Sequence, residues 1–257
     1  MNVAIAGLGA IGWAVANAID KGMPGITLSA VAVRDPAAAA ERLRMLAHPP
    51  ACVALASLAD YGEVVIECAG AHVLREMAAP VLASGRQLVA MSAGAFVSSP
   101  ALALLWQRYR SQIHIPSGAL GGLDAVAAMA EGHIDTVRLV STKPAAALRG
   151  APGLTQLGID VQSITRPMQV FSGTAAQALQ LFPDNLNVAA ALALAGAGAH
   201  RTMVEVWLDP HARTNRHEVE VQADSGRLRF SMDAMPSSNP RTSSLAAQSV
   251  LALLRRL

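Results

Sequence analysis

Residues 2–12 read Asn2-Val3-Ala4-Ile5-Ala6-Gly7-Leu8-Gly9-Ala10-Ile11-Gly12, and three glycines behind a short apolar run decide the fold. Asn2 to Ala6 predicts a strand buried on both faces, and Trp13 to Lys21 (WAVANAIDK) has helical character. A G-x-G-x-x-G turn between a strand and a helix is the setting of a dinucleotide site. In that setting Gly7 permits the tight turn, Gly9 lets backbone approach a pyrophosphate, and Gly12 lets the helix pack on the strand. Ala10 and Ile11 open the helix, where free N–H groups and a partial positive charge face the phosphates. An acidic residue is expected about 20 residues further on, and Asp35 stands 23 residues after Gly12. Aspartate there suits the ribose diol of NAD, while the adjacent Arg34 can pair with the 2′-phosphate of NADP, so either cofactor is admitted.

Working outward, Ile26–Val33, Val64–Cys68, Gln87–Met91 and Gln112–Pro116 predict further strands. Helices at 36–46, 73–83 and 99–109 alternate with them, the mark of a doubly wound parallel sheet of Rossmann type. Two loops at strand ends, Ala69-Gly70-Ala71-His72 and Ser92-Ala93-Gly94-Ala95, fall where such sheets bind ligands, and Ala69 and Gly70 are expected at the cofactor. After Ser117 the pattern changes. Thr136–Ser141, Met168–Ser172, Thr202–Leu208, Glu218–Gln222 and Arg227–Met232 predict strands, several of them alternating, with helices near 175–181 and 187–197. The expected organisation is a dinucleotide-binding domain over 1–117 and an α+β domain with a mixed or antiparallel sheet over 118–235. A C-terminal helix within 236–257 is expected to pack back on the first domain.

Composition narrows the function. Hydrophobic residues make up 53% of the 257-residue chain and charged residues 15%, which excludes a mainly disordered polymer. The net charge is +2 with no basic block, so a nucleic-acid partner is not expected. The apolar stretch Val188–Ala199 is too short to cross a membrane, and no membrane partner is expected. Two cysteines, Cys52 in a loop and Cys68 in a strand, make no disulfide framework and no zinc site, which suggests a reduced, cytoplasmic setting. No HExxH, no His/Cys/Asp cluster and no GxSxG elbow occurs, so neither a catalytic metal nor a serine hydrolase is expected.

Several later segments converge: Pro116-Ser117-Gly118-Ala119-Leu120-Gly121-Gly122-Leu123-Asp124-Ala125, Thr142-Lys143-Pro144 and Leu181-Phe182-Pro183-Asp184-Asn185-Leu186-Asn187. They are followed by Asp209-Pro210, Asn215-Arg216-His217-Glu218-Val219 and Asn239-Pro240-Arg241-Thr242-Ser243. In this order, and with the N-terminal glycine turn, they resemble the L-aspartate dehydrogenase family over nearly the whole chain. The resemblance implies NAD(P)-dependent oxidative deamination of L-aspartate to iminoaspartate, which hydrolyses to oxaloacetate and ammonia. The imine can also feed quinolinate and NAD biosynthesis. It places the catalytic histidine at His217, a cofactor-contacting asparagine at Asn187, and a further cofactor contact at Gly121, where many members carry alanine. It also suggests a homodimer, for which the second sheet is a plausible contact surface.

The residues support a parallel reading. Making an imine from an amine calls for a group that handles protons at neutral pH, and histidine suits that work. Of seven histidines, His217 begins an alternating strand after a polar loop, which is a rigid platform for catalysis. A substrate with two carboxylates needs cationic or N–H donors. Lys143, following a strand, is the candidate for one carboxylate, and Arg241-Thr242-Ser243 ahead of the last helix could supply N–H groups or serve as a plain helix cap. Two alternatives remain: a related reductase of the homoserine or dihydrodipicolinate type, and a non-catalytic NAD(P)H sensor.

Overall fold

The computed structural model describes every residue except Ser238, Pro240 and Arg241. Contacts divide the chain into two units, Met1–Pro116 with Ala247–Leu257, and Ser117–Ala246.

The first unit alternates strand and helix: β1 (Asn2–Ala6), α1 (Ala10–Asp20), β2 (Thr27–Ala32), α2 (Pro36–Leu43), β3 (Ala51–Cys52), α3 (Leu58–Tyr61), β4 (Val64–Glu67), α4 (Ala71–Ala83), β5 (Gln87–Ala90), α5 (Gly94–Ser98), α6 (Pro100–Arg108) and β6 (Ile113–His114). The strands form one parallel sheet in the order β3-β2-β1-β4-β5-β6. Strands of such a sheet are covered on both faces, which is why β1 and β4 carry unbroken small and β-branched runs and bury them. The order reverses between β1 and β4, and ligands of open α/β sheets bind outside the strand ends at that point. Pro36 at the first turn of α2 and the Asp35 carboxylate, accepting from Ala38 N–H at 3.0 Å, start that helix cleanly. Two readings are corrected. Cys52 lies in a short edge strand, not a loop, because residues 51–52 pair with Ala30 and Val31. The loop after β5 is partly helical, since α5 begins at Gly94.

The second unit contains α7 (Leu123–Met129), β7 (Ile134–Pro144), α8 (Ala145–Leu148), α9 (Pro152–Gln156), β8 (Met168–Thr174), α10 (Ala175–Leu181), α11 (Asn187–Ala195), β9 (Thr202–Asp209), β10 (Asn215–Ala223) and β11 (Gly226–Ala234). Its sheet runs β11-β10-β7-β9-β8, with β7 and β9 parallel and the remaining pairs antiparallel. A reciprocal Thr174–Gln177 capping box opens α10. Alternation along β7, β9 and β10 gives one buried and one wet face. The buried face is apolar through Leu139, Val204, Val206 and Val219, then turns polar at one end of β7 and β10.

The last helix, α12 (Ser244–Leu254), begins in the second unit and ends in the first. Ala247, Val250 and Leu254 join the core made by β1, β2, β4 and α1.

Candidate active site

At the glycine turn each position has a distinct steric reason. Gly7 sits at φ +89°, and a Cβ there would lie 2.8 Å from Ala69 Cβ. A Cβ on Gly12 would lie 2.0 Å from the Gly7 carbonyl oxygen, so α1 packs against the turn only because Gly12 has none. A Cβ on Gly9 would meet nothing within 4 Å. Packing therefore explains Gly7 and Gly12, while the space above Gly9 suits the close approach of a pyrophosphate, and the turn fits a dinucleotide. Arg42 braces the turn: its guanidinium donates to the Leu8 carbonyl at 3.1 Å and lies 4.3 Å above the Trp13 ring. Periodicity could not reveal that role for a residue on a surface helix. Arg34 and Asp35 are exposed at the end of β2, as an adenosine-ribose site requires, and one Asp35 oxygen is already occupied in capping α2.

Glu67 ends β4 at the reversal point and is fully buried. Its Oε1 accepts from Ala69 N–H at 2.8 Å, Gly70 N–H at 2.7 Å and the Ser92 hydroxyl at 3.1 Å, and Oε2 accepts from Ser92 N–H at 3.0 Å. One carboxylate thus ties together the loops that follow β4 and β5. Burial pushes its pKa up and these donors pull it back, with burial prevailing. The N–H groups of Ala69 and Gly70 are consumed by this carboxylate, so any contact they make with a cofactor uses other atoms. His72 is exposed beside Gly70, and His114 is held by Gln87 at 2.7 Å.

The polar end of the second sheet's buried face holds four side chains: Ser141 and Lys143 on β7, Asn215 and His217 on β10. Their exposures are 0%, 4%, 3% and 3% respectively. His217 stands directly opposite Ser141, and Ser141 Oγ lies 3.1 Å from His217 Nδ1. One position beyond the last paired residues, Arg216 and Thr142, the same register sets Asn215 opposite Lys143. Both strands are longer than alternation alone suggested. Lys143 lies inside β7 instead of following it, and His217 is the third residue of β10 instead of its first. Extra ladder pairs carry both side chains into the protein interior.

The electrostatics of this corner are unusual. Burial lowers the Lys143 pKa from 10.5 to about 8. Burial, and then the neighbouring Lys143 charge, lower the His217 pKa to about 3, so its imidazole is neutral at neutral pH. Among the described residues no carboxylate lies within ion-pair distance of Lys143. Asn215 Oδ1 is buried without a hydrogen-bond partner. Sequence reasoning reached Lys143 and His217 but missed Ser141 and Asn215, whose signal was their place two residues along the same strands.

The other expected residues of the second unit lie in its loops and at the start of α11. Gly121 lies in the loop before α7, where an added Cβ would come 2.5 Å from the Phe230 ring, so Phe230 fills the room an alanine methyl needs. Gly118, at φ +60°, has Val188 beside it, which brings that loop against the start of α11, whose first residue is Asn187. Thr242 is engaged within its own turn, its hydroxyl 2.6 Å from Ser237 Oγ, and Ser243 forms a bridge with Pro236. Arg241 lies outside the described residues. No group of three or more His, Cys, Asp or Glu able to hold a metal occurs among the described residues.

A parallel sheet with this glycine turn, followed by a mixed sheet bearing a buried histidine and lysine, defines a nicotinamide-dependent dehydrogenase. The family model described as "Homoserine dehydrogenase, NAD binding domain" matches residues 7–116, so the first sheet is an NAD(P)-binding domain. The model described as "Aspartate dehydrogenase, C-terminal" matches residues 124–257. The chain is 43% identical over its full length to L-aspartate dehydrogenase 3 of Bordetella bronchiseptica, covering 95% of that protein. It is 44% identical, again over its full length, to the L-aspartate dehydrogenase of Bradyrhizobium diazoefficiens, covering 91%. The crystal structure of aspartate dehydrogenase from Thermotoga maritima superposes with a TM-score of 0.71 at 24% identity, covering 100% of this chain and 96% of that one, a likeness of fold. The chain belongs to the L-aspartate dehydrogenase family.

Proposed function

We propose that the chain catalyses the NAD(P)-dependent oxidative deamination of L-aspartate to iminoaspartate, which water converts to oxaloacetate and ammonia. The observation that carries this reading is Lys143, a buried amine with no carboxylate partner among the described residues. An unpaired buried cation is unfavourable, and a substrate carboxylate supplies the missing countercharge. Thr242 and Ser243 are assigned to the substrate's other end. Gly7, Gly9, Ala10, Ile11, Gly12, Arg34, Asp35, Ala69, Gly70, Gly121 and Asn187 would hold the dinucleotide, whose chemistry is to accept a hydride.

His217 handles the proton. In the tautomer whose Nδ1–H donates to Ser141 Oγ, Nε2 keeps its lone pair and accepts a proton from the substrate ammonium. The resulting amine lone pair assists departure of the Cα hydrogen. A carboxylate beside Lys143 offsets that lysine's charge and raises the His217 pKa, so substrate binding itself makes His217 a better base.

Absorbance at the reduced-nicotinamide band, with NAD or NADP and L-aspartate at alkaline pH, tests the reading. L-Glutamate, L-alanine and L-malate are the controls. Reduction with L-aspartate alone is expected. No reduction despite cofactor binding would turn attention to another substrate or to the sensor alternative, while a homoserine-type reductase has no counterpart in the family match of the second unit. A homodimer through the exposed face of the second sheet, around Arg138, Val140, Glu220 and Arg229, is part of the proposal, and sedimentation tests it. A cytoplasmic setting fits the two free thiols. No helix among the described residues is long and apolar enough to cross a membrane.

A further inference from the structure

The corner around His217 contains one atom that the proposed chemistry has not used. Asn215 Oδ1 is buried and has no partner. Buried side-chain oxygens in folded proteins nearly always accept a hydrogen bond, and an orphan costs stability. Asn215 shares a strand face with His217, two residues away, and its register position faces Lys143. An acceptor is therefore held on the same sheet face as the expected proton acceptor and the expected carboxylate anchor. The substrate group that adjoins the α-carboxylate and gives its proton to His217 is the α-amino nitrogen.

We propose that Asn215 Oδ1 accepts a hydrogen bond from the substrate's α-amino group and thereby selects a 2-amino acid over its 2-hydroxy counterpart. The proposal rests on the aspartate reading. The amine donates N–H to Oδ1 in the ground state. As the C–N bond gains double-bond character the nitrogen becomes more positive and its N–H a stronger donor, so the contact tightens toward the transition state. A hydroxy acid can donate O–H at the start, but its ketone product has no hydrogen on that oxygen. Oxidising it would leave Oδ1 unpaired in a buried site, and sites built around such an acceptor discriminate strongly.

The test uses full-length Asn215→Leu, a near-isosteric apolar replacement, with Asn215→Ala as a second variant should the leucine crowd the site. Three readouts are expected together. The kcat/KM for L-aspartate falls at least tenfold, with kcat carrying part of the fall. Inhibition by succinate, which keeps both carboxylates and lacks the amine, is unchanged. The melting temperature is unchanged or higher, because an unsatisfied oxygen has been removed. A purely structural role would lower the melting temperature, and a role in holding Lys143 would weaken succinate in step with aspartate; either result overturns the proposal. Parent-like aspartate kinetics in both variants overturns it and leaves the aspartate reading standing. A wild-type protein that binds cofactor yet oxidises no aspartate removes the reading and the proposal together.

Discussion

Lys143 and His217 share a face of one sheet, where burial lowers both pKa values and the Lys143 charge lowers that of His217 further. For Lys143 the sign of the pH effect follows from its lowered folded pKa of about 8 against 10.5. Between those values the unfolded chain holds a proton that the folded chain has lost, so folding stability rises with pH across that window. Lys143→Met is expected to abolish the rise, which amounts to on the order of 3 kcal/mol, in denaturant titrations at pH 7 and pH 10. The same substitution should raise the KM for L-aspartate by tenfold or more. His217→Ala should lower turnover by about 10²–10⁴-fold, the usual scale for losing a positioned proton acceptor, while a fluorescence titration finds cofactor affinity unchanged. His217 and Lys143 were legible in the sequence through the motifs around them. Ser141 and Asn215 were not, because a serine and an asparagine in alternating strands look like wet-face residues until pairing puts them inside.

The glycine turn separates two kinds of constraint that sequence alone merges. Gly12 is required by packing and Gly9 by open space. Gly9→Ala should leave denaturant stability within about 0.5 kcal/mol and still weaken cofactor binding at least tenfold. Gly12→Ala should lose both, because its Cβ collides with backbone that cannot move aside. Parent-like cofactor affinity in Gly9→Ala would mean that the phosphates lie elsewhere. Long apolar strands and the helix after the turn were readable because their periodicity is strong. The two-residue strand β3, the short helices α8 and α9, and the outer residues of β7 were not, because a few residues carry no period and their pairing is decided by neighbours distant in sequence.

For the whole molecule, the first unit is discontinuous, with 11 C-terminal residues, Ala247–Leu257, serving the core of a sheet built from the first 116. Val250 is fully buried there. Val250→Ala should destabilise the protein by about 1–3 kcal/mol and weaken the cofactor more than the dicarboxylate inhibitor, a split readable by denaturation and binding titrations. Equal weakening of both ligands would mean that the helix serves the two units alike. That helix reads from the sequence as an amphipathic segment expected to pack on the first domain, while the particular strands it meets required three dimensions.

The return of α12 also bears on how the protein is made. A ribosome working through the gene has finished every glycine of the turn, His217 and Lys143 well before it reaches Val250. Until α12 emerges, the domain begun first still lacks part of its interior. Messages truncated shortly upstream of codon 247 therefore encode chains with the reactive residues present and the nucleotide domain unfinished. Such chains carry the reactive residues without the core that supports the nucleotide domain, so folding of the part made first waits on residues 247–257.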